Sequence, residues 1–184
     1  MVTWITLAAA GLIVVFIIGI YNKLVRLKNM VEEAWSGIDV QLKKRYSLIP
    51  NLVNTIKGYA THEKDVFENV AAMRSAGINA KTVAEHNQAE NAITQALGRL
   101  FAVAENYPEL KTNTNFLDLQ NQLSAIEHDI QLARRYYNGT ARDKNITVES
   151  FPSNIVASLF GFEKSEYFEI EDSKERETPT VTFS

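Results

Sequence analysis

The feature that most constrains the fold is an uncharged apolar run near the N-terminus, VTWITLAAAGLIVVFIIGI, which extends from Val2 to Ile20. As a helix, its 19 residues span about 28 Å, close to the hydrocarbon thickness of a bilayer. Trp4 and Tyr21 bracket the run, and their amphipathic rings suit the two membrane–water interfaces. The sequence therefore predicts one transmembrane anchor, residues 1–21, with the lipid bilayer as its partner.

A cleaved signal peptide is the alternative interpretation of this run. Such peptides begin with a basic region, carry a shorter apolar stretch and end at a small-residue cleavage site. Here no Lys or Arg precedes the run, and the sequence that closes it, IIGIYNKL, lacks an A-x-A pattern. We therefore expect the anchor to be retained.

The orientation of the anchor is predicted from its flanking charges. Lys23, Arg26 and Lys28 follow the run, and the basic triplet at residues 43–45 comes later. Segments rich in Lys and Arg tend to stay in the cytoplasm. We expect the N-terminus to lie outside the cell, and the chain after the anchor to lie on the cytoplasmic side of the bacterial plasma membrane.

Composition excludes several other classes of protein. The chain has no cysteine, so disulfides, thiolate metal sites and cysteine nucleophiles are ruled out. The net charge of −3 is too small to indicate a nucleic-acid-binding protein. Residues 163–177 hold seven acids against three bases, −4, which leaves about +1 for the remainder and places the acidic excess in a C-terminal tail.

Helical spacing of apolar residues dominates the sequence after the anchor. It predicts a first helix from about Asn22 to Ala76, ended by Gly77 and Asn79. Pro50 lies inside this helix, where proline removes one backbone hydrogen bond. Either one helix kinks there or a new helix begins with Pro50 in its first turn.

We expect the kink, because the apolar spacing continues on both sides of the proline. The residues around it form a predicted kink and interaction site, which consists of Arg45, Ile49, Pro50 and Asn51.

Two further helices are predicted from their end signals. Thr82 and Glu85 form a capping box that opens a helix ending near Tyr107, just before a proline. The next helix starts at the possible caps Asn113–Asn115 and continues to about residue 149, with a weak point at Gly139. Short connections make neighbouring helices antiparallel.

The predicted fold is all-α: a single N-terminal transmembrane helix that continues into an antiparallel bundle of three to four long helices with coiled-coil-like packing. The predicted divisions are residues 1–21 for the anchor, 22–150 for the bundle, and 151–184 for a short apolar segment with the acidic tail.

No catalytic constellation is visible in the sequence. His62, His86 and His128 lack the spacing of three or four that places metal ligands on one helical face. No nucleophile, base and orienting group come together, so we expect no enzyme activity, no metal and no cofactor.

Some polar residues do fall beside the apolar stripes. Besides Arg45, they are Glu105, Glu127 and Arg134. They predict either a polar pocket where helices meet or interhelical pairs that fix the register, and the cost of burying an unpaired charge favours the pairs.

The segment FPSNIVASLFGF, residues 151–162, is apolar and uncharged. It could lie on the bilayer surface or fold back and cap the open end of the bundle. The lack of Lys or Arg on a polar face favours the cap.

Several long motifs resemble those of one protein family. They are YNKLV from Tyr21, EEAWSGIDVQLKKRYSLIPNLVNTIKGYATHE over residues 32–63, ENYPELKTN from Glu105 and QNQLSAIEHDIQLARRYYNGTARDKN from Gln120. This order resembles the LemA family over nearly the whole chain. The resemblance implies a bacterial membrane protein with one N-terminal span and a bundle of long helices. It implies no enzymatic activity, and it implies associations with membrane organelle formation, cell-envelope functions and membrane proteases.

Two functional hypotheses follow. The first is a membrane-anchored structural protein of the cell envelope that self-assembles into homo-oligomers or docks membrane protein partners. The second is a ligand-binding sensor or adaptor coupled to a membrane protease or signalling partner, which would need the opposite topology.

Overall fold

The computed structural model describes residues 1–168, which form six helices and contain no strand. In chain order they are α1 (Val2–Lys57), α2 (Lys64–Asn79), α3 (Val83–Ala104), α4 (Pro108–Lys111), α5 (Thr114–Glu149) and α6 (Ser153–Leu159). The all-α class, with a long apolar N-terminal helix leading into packed helices, is confirmed. The predicted acidic tail beyond Phe168 lies outside the described residues.

The first long helix is shorter than predicted. α1 continues without a break through Pro50 but ends at Lys57, so the prediction of one helix over residues 22–76 is wrong. Glycine is a poor helix former, and Gly58 follows α1 directly. The amides of Tyr59 and Ala60 both donate to the carbonyl of Ile56, which closes the helix in a turn. The predicted stop near Asn79 is the end of α2 instead.

The predicted start of α3 is confirmed. The amide of Glu85 donates to the Thr82 hydroxyl at 3.1 Å, and the Glu85 carboxylate accepts from the Thr82 amide at 3.2 Å. The carboxylate also accepts from the Lys81 amide at 2.7 Å, and these backbone bonds, Lys81 first, hold the pKa of Glu85 below its ordinary value. Both halves of the capping box are therefore formed.

The start of α5 is also as predicted. Its cap is Asn113, whose side-chain oxygen accepts from the Phe116 amide at 3.1 Å. The helix then passes through Gly139 without interruption, so the predicted weak point does not end it.

The chain divides into two compact units. The first consists of Met1–Leu42 and Ile126–Tyr167, and the described part of the second consists of Lys43–Ala125 and Phe168. α1 and α5 contribute to both.

In the first unit, α1 and α5 are antiparallel. The Trp35 ring packs edge to face on the Tyr137 ring, with centroids 5.6 Å apart. Farther toward the N-terminus of α1, Ile20 packs in the same cluster as Val148 of α5, together with α6. Later residues of α5 thus contact earlier residues of α1, which is the antiparallel arrangement.

In the second unit, α2 and α3 form a helical hairpin against the C-terminal part of α1. Only residues 80–82 connect the two helices, which makes them antiparallel. The fully buried core side chains come from several helices and include Ile49, Leu52, Ile56, Val70, Ile93, Leu100 and Leu110. The Phe101 and Phe116 rings join α3 to the start of α5, with centroids 6.3 Å apart.

Candidate functional site

The apolar start of α1 is exposed along residues 1–16. It is the helix among the described residues that is long and apolar enough to cross a membrane, and none of its most apolar 18-residue window is buried. Val2 and Trp4 are each 76% exposed. An exposed apolar surface of this size is typical of a site that contacts a membrane or another protein.

The apolar run ends beside α6. Leu24 of α1 is fully buried against Val156 and Ala157 of α6, and the partly buried residues around them are Ile17, Ile20, Val148 and Phe162. We call these seven residues the α1–α6 cluster. Val156 of the segment predicted to fold back, and its neighbour Ala157, thus pack against α1. The capping of the bundle by residues 151–162 stays a prediction.

Aromatic rings extend this cluster to the end of the predicted span. The Tyr21 ring meets the rings of Phe160 and Phe162 edge to face, at centroid distances of 4.9 and 5.7 Å. Phe162 reaches this position because α6 ends in a Schellman turn. Gly161 has a φ of 70°, and the Phe162 amide donates to the Ala157 carbonyl at 2.9 Å.

The chain after α6 is tied back along α5. The Asn145 side chain donates to the Ser165 carbonyl at 2.9 Å and accepts from the Ser165 amide at 2.7 Å. The Tyr137 hydroxyl donates to the Glu166 carbonyl at 2.9 Å, and burial, with a smaller contribution from the Glu166 charge, raises the pKa of Tyr137. The Lys144 ammonium donates to the Ser165 hydroxyl at 2.9 Å.

A buried polar network joins α1 to α3 in the second unit. The Glu90 carboxylate has no exposed surface; it accepts from the Arg45 guanidinium at 2.7 Å and from the Tyr46 hydroxyl. Arg45 is 4% exposed and also donates to the Thr94 hydroxyl at 2.9 Å. We call these four residues the Arg45–Glu90 network. Each buried charge is matched by an opposite charge and by further hydrogen bonds, as burial requires.

Pro50 is accommodated next to this network. In an α-helix the amide of residue 50 would donate to the carbonyl of Tyr46, but proline has no amide hydrogen. The Arg74 Nε of α2 donates to that carbonyl instead, at 2.7 Å. The hydrogen bond that proline removes from α1 is thus replaced by one from a neighbouring helix.

Gly77 allows α2 to approach Tyr46 closely. A Cβ atom at this position would lie 2.5 Å from the Tyr46 hydroxyl oxygen and 2.8 Å from the ring carbon that bears it. Any side chain would therefore push on a hydroxyl that is already bonded to Glu90.

The residues of the predicted kink site have different surroundings. Arg45 lies in the network, and Ile49 is fully buried in the core. Asn51 is exposed, and its carbonyl accepts from the Thr55 hydroxyl at 2.9 Å.

The other predicted polar residues lie outside the network. Glu105 is exposed at the end of α3. Glu127 accepts from Gln131 on the same helix at 3.2 Å, and Arg134 is half-buried on α5. The pairing of these residues between helices stays a prediction.

The partner of Arg45 was missed by the sequence reasoning. Glu90 lies three residues before Ile93 and seven before Leu97, which is the same spacing of three and four that placed Arg45 on the buried side of α1. A search for acids on the apolar stripes would have found it. The sequence around Arg74 has no comparable pattern that would have predicted its hydrogen bond to the Tyr46 carbonyl.

The α2–α3 hairpin also carries a groove of about 530 Å³. Its lining includes the apolar residues Met73, Ala76, Ala89 and Ala92, together with Lys81 and Glu85. Among residues 1–168, no three His, Asp or Glu side chains are grouped as metal ligands.

Removing one partner of the buried ion pair should cost much more stability than removing both. Arg45→Met or Glu90→Leu alone is expected to lower the free energy of unfolding by about 3–5 kcal/mol, because the remaining charge stays buried. The double variant loses both charges and is expected to be more stable than either single variant. Urea unfolding of the full-length protein in detergent, followed by circular dichroism, measures this.

The matched control is the exposed pair Lys64–Glu68, whose charged atoms lie 3.5 Å apart. Glu68→Gln is expected to change the unfolding free energy by about 1 kcal/mol or less. Additive losses in the Arg45 and Glu90 double variant would contradict the assignment.

Arg74 and Pro50 should be energetically coupled. Arg74→Met leaves the Tyr46 carbonyl without its donor and is expected to cost about 1–3 kcal/mol. In a Pro50→Ala background the cost should be smaller, because the alanine introduced there has an amide that can donate to that carbonyl. A double-mutant cycle on unfolding free energies measures the coupling. Arg99→Met, at an exposed arginine of α3, should have the same effect in both backgrounds; equal costs for Arg74→Met would contradict the coupling.

Comparison with known proteins finds relatives that are similar to this chain over most of its length. Two proteins of Paramagnetospirillum magneticum, magnetosome protein MamQ 1 and magnetosome protein MamQ 2, are each 26% identical to this chain over an alignment of 188 positions, gaps included. The alignment covers 88% of this chain and 68% of theirs. Protein LemA of Metamycoplasma hominis is 26% identical over 144 residues, which cover 76% of this chain and 64% of that protein.

The family comparison covers most of the chain. The LemA family profile matches residues 34–183, a range that includes the Arg45–Glu90 network, Pro50 and α6. It confirms the resemblance seen in the sequence motifs, and the chain therefore belongs to the LemA family.

Proposed function

We propose that this protein is a membrane-anchored helical scaffold of the bacterial cell envelope, which docks membrane proteins or further copies of itself and carries out no catalysis. The observation that carries the proposal is the continuity of α1. Its apolar start has no buried residue, and the same helix then enters the packed core at Leu24. An anchor joined to a domain by unbroken helix holds that domain at a fixed distance from the membrane.

The relatives support an architectural role. The name magnetosome protein refers to a structure and not to a reaction. Membership of the LemA family brings no reaction to the chain either.

The proposed orientation places the helical units in the cytoplasm. Lys23, Arg26 and Lys28 are exposed directly after the apolar run, on the side that the positive-inside rule assigns to the cytoplasm. The proposed site is the bacterial plasma membrane.

A sensor or adaptor is the second candidate, because the groove on the α2–α3 hairpin could hold a small apolar ligand. That function needs the helical units on the outer side of the membrane. The topology of the chain therefore separates the two candidates.

The anchor and its orientation are tested together. The full-length protein is expected to stay with membranes in alkaline carbonate, and a variant lacking residues 2–20 to be released. A fluorescent protein fused after Ser184 is expected to fluoresce, whereas alkaline phosphatase at the same position should be inactive. Active phosphatase would overturn the orientation and favour the sensor.

Self-assembly is tested separately. Single-molecule photobleaching of the full-length, singly labelled protein in lipid vesicles is expected to show several steps per spot. The control is the same label on an unrelated single-span protein at equal density. Single steps at all densities would contradict a homo-oligomeric scaffold and leave docking of other membrane proteins as its function.

A further inference from the structure

One part of the first unit presents apolar side chains that its packing does not explain. Residues 151–162 carry no charge, and α6 buries only its Val156–Ala157 side against α1. The exposed fractions of the remaining apolar side chains are large: Phe151 80%, Ile155 60%, Leu159 73% and Phe160 50%. Ile155 and Leu159 are four residues apart, so they project from the same side of the helix.

This apolar side lies level with the end of the predicted span. The α1–α6 cluster includes Ile17 and Ile20, which belong to the last turn of the uncharged run. Lys23 is the first charged residue after that run. If α1 crosses the bilayer, α6 must lie where the acyl chains meet the headgroups.

The segment is held in this position from both ends. α5 leads directly into it, and the chain beyond it is fixed by the two hydrogen bonds between Asn145 and Ser165. The ion pair between Lys164 and Glu149, 2.8 Å, closes its base. Glu149 and Lys164 thus flank residues 151–162 in the sequence and pair with each other, and the apolar side chains lie on the uncharged segment between them.

We propose that α6 is a second membrane contact, which inserts Ile155 and Leu159 into the headgroup–acyl boundary of the bilayer that α1 crosses. The inference rests on the proposed membrane anchor. The three rings of Tyr21, Phe160 and Phe162 form an aromatic group at the depth where such rings are enriched in membrane proteins. Asn154 and Ser158 occupy the neighbouring exposed side of α6, which suits contact with headgroups and water.

Lipid is favoured over a second copy of the chain as the occupant. Any surface at the level of Ile17 is already surrounded by lipid, so an apolar side chain there is satisfied without a protein partner. Contact of α6 with the bilayer would also fix how α1 is rotated about its own axis in the membrane, because α6 packs on one side of α1.

The chain has no cysteine, so single labels can be introduced without removing any native thiol. The test uses Ile155→Cys and Leu159→Cys, each carrying an environment-sensitive fluorophore. The full-length protein is reconstituted in vesicles of phosphatidylcholine and phosphatidylglycerol, with and without lipids that bear a nitroxide near the headgroup end of the acyl chain. Phe16→Cys reports on the span itself, and Gln131→Cys, exposed on α5 of the same unit, is the aqueous control.

Labels at Ile155 and Leu159 are expected to emit at short wavelength and to be quenched as strongly as the label at Phe16, several-fold more than at Gln131. Quenching at Phe16 alone would overturn the inference and leave the membrane anchor intact. Absence of quenching at Phe16 would overturn the anchor and the inference with it. Short-wavelength emission at Ile155 and Leu159 without nitroxide quenching would show a second protein chain on this surface and also overturn the inference.

Discussion

Glu90 has no contact with solvent, and an ionised carboxylate in that position is tolerated only where donors surround it. Two consecutive residues of α1, Arg45 and Tyr46, supply those donors. The Tyr46 carbonyl, which Pro50 leaves without its helical donor, accepts from Arg74 of α2. One turn of α1 is therefore bonded to α2 and to α3 at once. Sliding either helix by a turn would leave a buried polar group unsatisfied, which is a larger penalty than the loss of some apolar contact.

The first unit is stabilised in a different way. Its end near the apolar run contains aliphatic and aromatic contacts around Leu24 and Tyr21. Its partly buried polar bonds involve residues of α5 that precede Val148: Asn145 and Ser165 bond each other, and Lys144 donates to the Ser165 hydroxyl. The exposed pair Lys164–Glu149 lies at the end of α5. Burial, and secondarily the charge of Lys28, lowers the pKa of Lys144. The contacts within the α1–α6 cluster itself are apolar, as expected beside the proposed membrane anchor.

Periodicity and end signals predicted much of this fold, and the exceptions have local causes. The Thr82 capping box and the Asn113 cap are formed as predicted, because both depend on side chains within three residues of the bond they make. The end of α1 was misplaced, because the apolar spacing continues across Gly58 even though the backbone turns there. Sequence placed Arg45 on a buried stripe but could not choose its partner. That choice depends on which helices pack together, and only the fold brings Glu90 opposite.

The unbroken passage of α1 from the apolar run into the first unit has a geometric consequence. Successive residues of an α-helix are rotated by about 100° around its axis. Each side of the apolar run therefore keeps a fixed angle to the buried stripe of Leu24, Val31 and Ile38. Inserting a single residue between Ile20 and Leu24 would turn one relative to the other by roughly that angle, whereas a flexible linker would absorb it. The proposed membrane anchor would thus specify an angle as well as a length. A partner span that binds it in the bilayer would set the direction in which the helices packed on α1 project outside the membrane.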